Sequence, residues 1–199
     1  SFADVNDAPT AEDDFVARQT GPQQIAFDAL FANDTDIDSP PAGWTIAGVS
    51  NQNGVSVSVD AGTRTLTVDY LGGHAGAYSF DYTVSDGEGG SDTATVMLNN
   101  APTAVDDVDT IGENEGYAVW HHLDVTANDT DPDGDALAVQ SVTVLDGAPV
   151  IAAVLNDSEI RYYVNDPNQD WNGAFALEVT VSDQRGGTDT SRVDVTVTP

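Results

Sequence analysis

The chain has 199 residues, 34 acidic and 5 basic, for a formal charge of −29; hydrophobic residues make up 40% and aromatics 8%. That charge repels nucleic acid and anionic lipid and excludes both as partners, while apolar residues ordered into alternating runs argue against a disordered acidic tail. With no cysteine there are no disulfides and no thiolate metal centres, and no apolar run approaches the ~20 residues of a membrane helix, so no membrane insertion is expected.

In chain order, Ser1 opens no signal-peptide pattern, and the beginning reads as the start of a piece of something longer. NDAPTAEDD (Asn6 to Asp14) leads into a first strand, TAEDDFVAR. QQIAFDALFA (Gln23 to Ala32) reads as the second strand, running straight into ANDTDIDSP. A third begins at Trp44. GVSVSVD (Gly54 to Asp60), RTLTVDY (Arg64 to Tyr70), YSFDYTV (Tyr78 to Val84) and DTATVML (Asp92 to Leu98) then alternate strictly, which is the period of half-buried strands. Gly- and Asn-rich turn signals separate them, and no helical period of useful length is visible.

The series then restarts. NNAPTAVDD (Asn99 to Asp107) repeats the opening, TANDTDPD (Thr126 to Asp133) repeats FANDTDID, and VTVSDQRGGTDTSRV (Val179 to Val193) repeats YTVSDGEGGSDTATV. The strands of this second copy are TAVDDVDTI, WHHLDVTA, LAVQSVTVL (Leu137 to Leu145), EIRYYV (Glu159 to Val164), FALEVTV (Phe175 to Val181) and SRVDVTV (Ser191 to Val197). Three blocks in the same order, in both halves, make the chain a tandem repeat. The boundaries are 1–98 and 99–199. Seven short strands per copy predict an all-β chain of two tandem, seven-stranded Greek-key sandwiches of immunoglobulin-like type.

Such a sandwich sends its connections to two opposite ends. The start of the first strand, the second-to-third loop and the sixth-to-seventh loop share one end. All three repeated blocks fall there, so their acids should meet in space. Carboxylates and Asn carbonyls in that density are ligands for a hard cation; Ca²⁺ takes six to eight oxygens, whereas Mg²⁺ keeps more water, so the expected cofactor is Ca²⁺. Asp129, Asp131, Asp133 and Gly134 partly spell an EF-hand loop, as do Asp34, Asp36 and Asp38. The twelfth position is Gln140 and the flanks are strands, so a true EF-hand is rejected. The plainer alternative is an Asn/Asp-rich turn with no ion.

The run NNAPTAVDD, TANDTDPDGD and YTVSDGEGG or VTVSDQRGG closely resembles the tandem cadherin-like and bacterial immunoglobulin-like repeats of large calcium-dependent surface adhesins, often RTX adhesins exported by type I secretion. The resemblance covers both copies. It implies calcium-rigidified stalk (extender) repeats of a bacterial cell-surface protein, secreted, extracellular, serving cell adhesion or biofilm formation. By position it implies a ligand set of Asp7, Asp13, Asp14, Asn33, Asp34, Asp36, Asp38 and Asp86 in the first copy. In the second copy the set is Asn100, Asp106, Asp107, Asn128, Asp129, Asp131, Asp133, Asp135 and Asp183. Since neighbouring side chains on a strand point to opposite faces, one of each Asp-Asp pair should miss the ion. The copies differ: IDSP stands for PDGD in the first, and QRGG for GEGG in the second, setting Arg185 beside the site. The two sites are therefore expected to differ in affinity or ion number. At the opposite end the second copy carries Glu113, Glu115, Asp146, Asp166 and Asp170, which would complete a site with a third domain or bind an ion themselves.

Other chemistry is weak. His121 and His122, adjacent on a strand, diverge and make a poor chelate. Trp44 and Trp171 read as core anchors. Three scattered histidines build no catalytic triad, and paired carboxylates fall where calcium accounts for them, so the chain is not expected to be an enzyme. The expected partners are neighbouring repeats of the same chain, with a surface glycan or protein ligand as a further partner, and the chain is expected to be monomeric. The alternative function is a calcium-dependent glycan- or peptide-binding module of the same type of adhesin. Loops no longer than about ten residues favour the stalk.

Overall fold

Rows of alternating Val, Thr and Tyr pair edge to edge because each strand then buries one face and hydrates the other. The structure, a computed structural model, describes residues 5–74, 76–113, 119–166, 168 and 171–199. Two units separate, Ser1–Asn99 and Asn100–Pro199.

In the first unit the strands are β1 (Asp14–Ala17), β2 (Gln23–Ala26), β3 (Thr45–Asn53), β4 (Val55–Asp60), β5 (Thr65–Tyr70), β6 (Tyr78–Ser85) and β7 (Ser91–Asn99). They form a four-stranded sheet, β1-β7-β6-β3, and a three-stranded sheet, β2-β5-β4. All neighbours are antiparallel except β1, which runs parallel to β7. The second unit repeats this with β8 (Asp107–Gly112), β9 (His121–Asp124), β10 (Ala138–Val144), β11 (Val150–Val154), β12 (Glu159–Val164), β13 (Gly173–Ser182) and β14 (Thr188–Thr198). Its sheets are β10-β13-β14-β8 and β11-β12-β9, again with one parallel pair, β8 with β14. Both are immunoglobulin-like sandwiches, the fold that the strand count predicts.

Each unit has its own core. In the first it centres on Trp44, Tyr82, Phe27, Phe80 and Leu66; in the second on Tyr162, Phe175, Ile160 and Leu177. The hairpin β6–β7 shows the logic: Phe80 faces Val96 and Tyr82 faces Ala94, all buried, while Asp81 and Thr95 between them point outward. Trp44 is fully buried, and Trp171 packs against the second core beside Phe175.

One expectation is corrected. QQIAFDALFA is not a single strand: β2 stops at Ala26 and one helical turn, α1 (Phe27–Leu30), follows. Phe27, Leu30 and Phe31 are all buried, a spacing that a helical turn satisfies and a strand cannot, because alternation would expose one of them. The second unit has no such aromatic set after β9 and turns directly, with only Val125 buried there.

Candidate functional site

The approach segment of each unit crosses over one pole and is pinned there by the second-to-third loop. Thr10 and Thr35 exchange backbone hydrogen bonds at 2.7 and 3.0 Å; Thr103 and Thr130 do the same at 2.7 and 3.1 Å. This bridge divides the acids into two groups.

The first group lies inward of the bridge. Asp34 accepts from the Glu12 amide (2.8 Å) and from the buried Tyr82 hydroxyl (3.0 Å). Asp14, turned inward by β1, lies against the same hydroxyl; burial pushes its pKa up to about 7, opposed by Tyr82 and reinforced by Asp34 and Asp13. Tyr82 is itself raised by burial and the two carboxylates. In the second unit Asp129 likewise accepts from the Val105 amide (2.8 Å). Val179 stands where the first unit has Tyr82, however, so no phenol bridges the pair. Asp107 is pushed up to about 6 by burial and by Asp129. The outer member of each Asp-Asp pair faces away: Asp13 accepts from the Thr95 amide and Asp106 from the Arg192 amide, both at 2.8 Å. Asn33 and Asn128 act as donors, clamping the carbonyls of Asp13 (3.1 Å) and Asp106 (3.3 Å).

The second group lies outward of the bridge, where the linker, loop and β6–β7 turn meet. In the first unit Asp36 Oδ1 accepts from the amides of Asp38 (3.0 Å) and Ser39 (3.2 Å), and Asp38 accepts from the Asp7 amide (3.1 Å). The carboxylate of Asp86 caps its own turn, accepting from the amides of Glu88 (2.8 Å), Gly89 (3.1 Å) and Gly90 (3.0 Å), and from the Asn6 side chain (2.8 Å). The Asn6 bond, with those amides, holds its pKa below the usual carboxylate range. Asp86 also lies close enough to Asp36 to repel its charge.

The second unit repeats the pattern. Asp131 Oδ1 accepts from the amides of Asp133 (2.8 Å) and Asp135 (3.2 Å), and Asp133 holds both the amide (2.6 Å) and the side chain (2.8 Å) of Asn100. Asp183, 2% exposed, caps its turn through the amides of Arg185 (2.7 Å) and Gly187 (2.9 Å). The linker rides on this turn so closely that a Cβ on Gly187 would stand 2.8 Å from the Ala101 Cα, and one on Gly90 2.7 Å from the Ala8 Cα. Only glycine admits that approach.

Carboxylate oxygens of Asp131, Asp133 and Asp135 lie within 4.8 Å of one another. Several oxygens are buried without a hydrogen-bond partner: in the outer group Asn6 Oδ1 and Asp36 Oδ2 of the first unit and Asp131 Oδ2 and Asp135 Oδ2 of the second, and in the inner pairs Asp14 Oδ2, Asp107 Oδ2 and Asp129 Oδ2. Buried acceptors without donors are costly. A donor set of carboxylate and amide oxygens with unspent lone pairs fits a hard cation such as Ca²⁺.

The sequence-derived residues thus separate. In the first unit Asp36, Asp38 and Asp86 come together, with Asp7 bound through the linker; in the second unit Asp131, Asp133, Asp135 and Asp183 do so, with Asn100 bound in the same way. Asp14, Asp34, Asp107 and Asp129 form the inner pairs; Asp13, Asp106, Asn33 and Asn128 serve backbone groups. The alternation seen in D-x-D-x-D therefore holds for Asp131, Asp133 and Asp135 but not for Asp129, which the Thr103–Thr130 bridge turns toward Val105. Sequence reasoning did not include Asn6, whose place in the repeated NDAPTA block was the available signal, nor Tyr82, which differs visibly between the copies. Of the acids at the opposite end, Glu115 and Asp170 lie outside the described residues. Glu113 accepts from Asn172, Asp166 from the Asn168 and Trp171 amides, and Asp146 lies 3.9 Å from Arg192. His121 stacks on the buried Tyr162 while His122 is exposed, so the pair diverges.

The profile of the Bacterial Ig domain family matches residues 6–98 and again 99–196. No curated protein matches the chain. Among solved structures it is similar to an endo-fucoidan hydrolase from glycoside hydrolase family 107, with 16% identity, a TM-score of 0.43, and coverage of 95% of this chain and 34% of that one. The human Desmocollin-1 ectodomain has 14% identity and a TM-score of 0.36, over 95% of this chain and 40% of that one. Mouse clustered PcdhgC3 EC1-3 has 14% identity and a TM-score of 0.39, over 94% and 65%. The chain therefore spans well under half the length of the first two.

Proposed function

The chain belongs to the bacterial Ig domain family, once in each half, and from that premise we propose that it is a structural section of an extracellular protein whose two domains each take up Ca²⁺ at the pole where linker, loop and turn meet. One observation carries the reading: the outer acidic group is built twice, from the same blocks, and in both domains it buries carboxylate or amide oxygens that no donor satisfies. Calcium would supply the missing partner and cancel the repulsion among the acids. Bound to linker and loop together, it would fix the approach segment on the sandwich and stabilise the folded domain. Immunoglobulin-like domains are typically non-enzymatic, and the role is mechanical. Among the described residues no helix is long and apolar enough to cross a membrane. The motif resemblance supports the finer reading of a stalk section in a cell-surface adhesin exported by type I secretion, with neighbouring repeats as its partners.

The test is a thermal melt in millimolar Ca²⁺ against EDTA, both in excess Mg²⁺. With Ca²⁺ at about 100-fold its dissociation constant, stabilisation of roughly 2.7 kcal/mol is expected. Identical melts in the two buffers overturn the reading.

A second reading, a glycan- or peptide-binding module, is favoured by the outer face of the β9–β12 pair. There Arg161 stacks over Trp120 at 4.4 Å and Tyr163 meets Trp120 edge-on at 4.7 Å, whereas the matching strand β5 of the first domain presents Thr65, Thr67 and Asp69. Binding on a glycan array or in a peptide screen that disappears in Trp120→Ala would establish it; no signal for the wild-type chain in either removes it.

A further inference from the structure

Asp135 and Arg185 occur together in the second domain, and neither occurs in the first, where Pro40 and Glu88 hold the matching positions. The Arg185 Nη1 lies 2.7 Å from Asp135 Oδ1, the Asp135 side chain being 7% exposed and that of Arg185 42%. Asp135 is also one of the three carboxylates that converge within 4.8 Å, and its other oxygen, with Asp131 Oδ2, is buried and unsatisfied. The guanidinium therefore meets the acidic cluster from its rim, on a side chain that stays partly exposed.

We propose that Arg185 is a tethered cation that competes with Ca²⁺ for the acidic pole of the second domain, so that the two domains load at different calcium concentrations. This rests on the calcium reading above. A divalent ion entering the second pole must either displace the guanidinium from a nearly buried carboxylate or share the site with a positive neighbour, and both weaken binding. The first pole presents Glu88 instead, which attracts the ion. Without calcium the order reverses. Arg185 neutralises part of the second pole, which keeps its shape, while the first has no such counter-ion from its turn. The pair thus acts as a built-in stand-in for the metal, and grades the response of the chain from one domain to the next.

The experiment is calorimetric calcium titration of the full two-domain chain, with unfolding in EDTA as a second readout. Wild type is expected to show a tight and a weaker class of sites. Arg185→Gln strengthens the weaker class by about tenfold and, in EDTA, lowers the unfolding midpoint of the second domain. Arg185→Lys retains the weaker class, and Glu88→Arg weakens the tight one. If wild type binds Ca²⁺ but Arg185→Gln leaves the affinities unchanged or lowers them, this inference is overturned and the calcium reading stands. If wild type takes up no Ca²⁺, both fall together.

Discussion

Asp14→Asn is expected to stabilise the first domain in calcium-free buffer at pH 8 by roughly 2–4 kcal/mol, and to make little difference at pH 4. Asp14 is 8% exposed and lies against Tyr82 and Asp34. Burial raises its pKa from 3.8 to about 7. An acid whose folded-state value is raised favours the folded state fully below its unfolded value, and that contribution is lost as pH rises through about 7. At pH 8 the folded domain therefore carries an ionised, poorly solvated carboxylate, and asparagine removes the charge while keeping the shape. The gap of about three units, at ~1.4 kcal/mol each, sets the upper end of the range. Asp107, raised to about 6, should respond in the same direction and by less. Urea unfolding followed by Trp44 fluorescence at the two pH values measures the effect. A variant no more stable than wild type at pH 8 would show that the buried carboxylate carries no such penalty.

Asp86→Ala is expected to cost the first domain about 3 kcal/mol or more in Ca²⁺ and in EDTA alike. The carboxylate receives three turn amides and the Asn6 side chain, and a charged acceptor with that many donors leaves several of them stranded when it is removed. Its turn also carries the linker across Gly90. Asp36→Asn is the informative contrast. Oδ1 survives to accept from Asp38 and Ser39, so stability in EDTA should hold, while the buried, unsatisfied Oδ2 is exchanged for an amide that cannot ligate a cation. Calcium stabilisation should then disappear from the first domain. If Asp86→Ala melts like wild type in EDTA, the capping role assigned to this residue is wrong.

Both variants probe positions that the sequence singled out together and the fold uses differently. The repeated NDAPTA, ANDTD and VSD blocks and the strict alternation of YSFDYTV and DTATVML are local patterns. Each is legible because one strand buries one face, and because turn residues of fixed type must stand between strands. They were enough for two immunoglobulin-like sandwiches and for the convergence of the blocks at one pole. FDALF departs from the strand reading because Phe27, Leu30 and Phe31 suit a helical turn only once a core exists to receive all three.

The sequence by itself determined the duplication, the strand order and the chemistry available at the pole, since period, repeat and residue type are properties of the chain alone. Only the tertiary structure decided which carboxylates meet. In the first domain the bridge from Thr10 to Thr35 sets Asp34 inward toward Tyr82 and leaves Asp36 and Asp38 outward, and in the second domain the meeting of the β13–β14 turn with the loop before β10 brings Arg185 onto Asp135, some fifty residues away. The direction in which a side chain points at a loop is set by backbone pairing with a distant segment, and no local pattern encodes that partner.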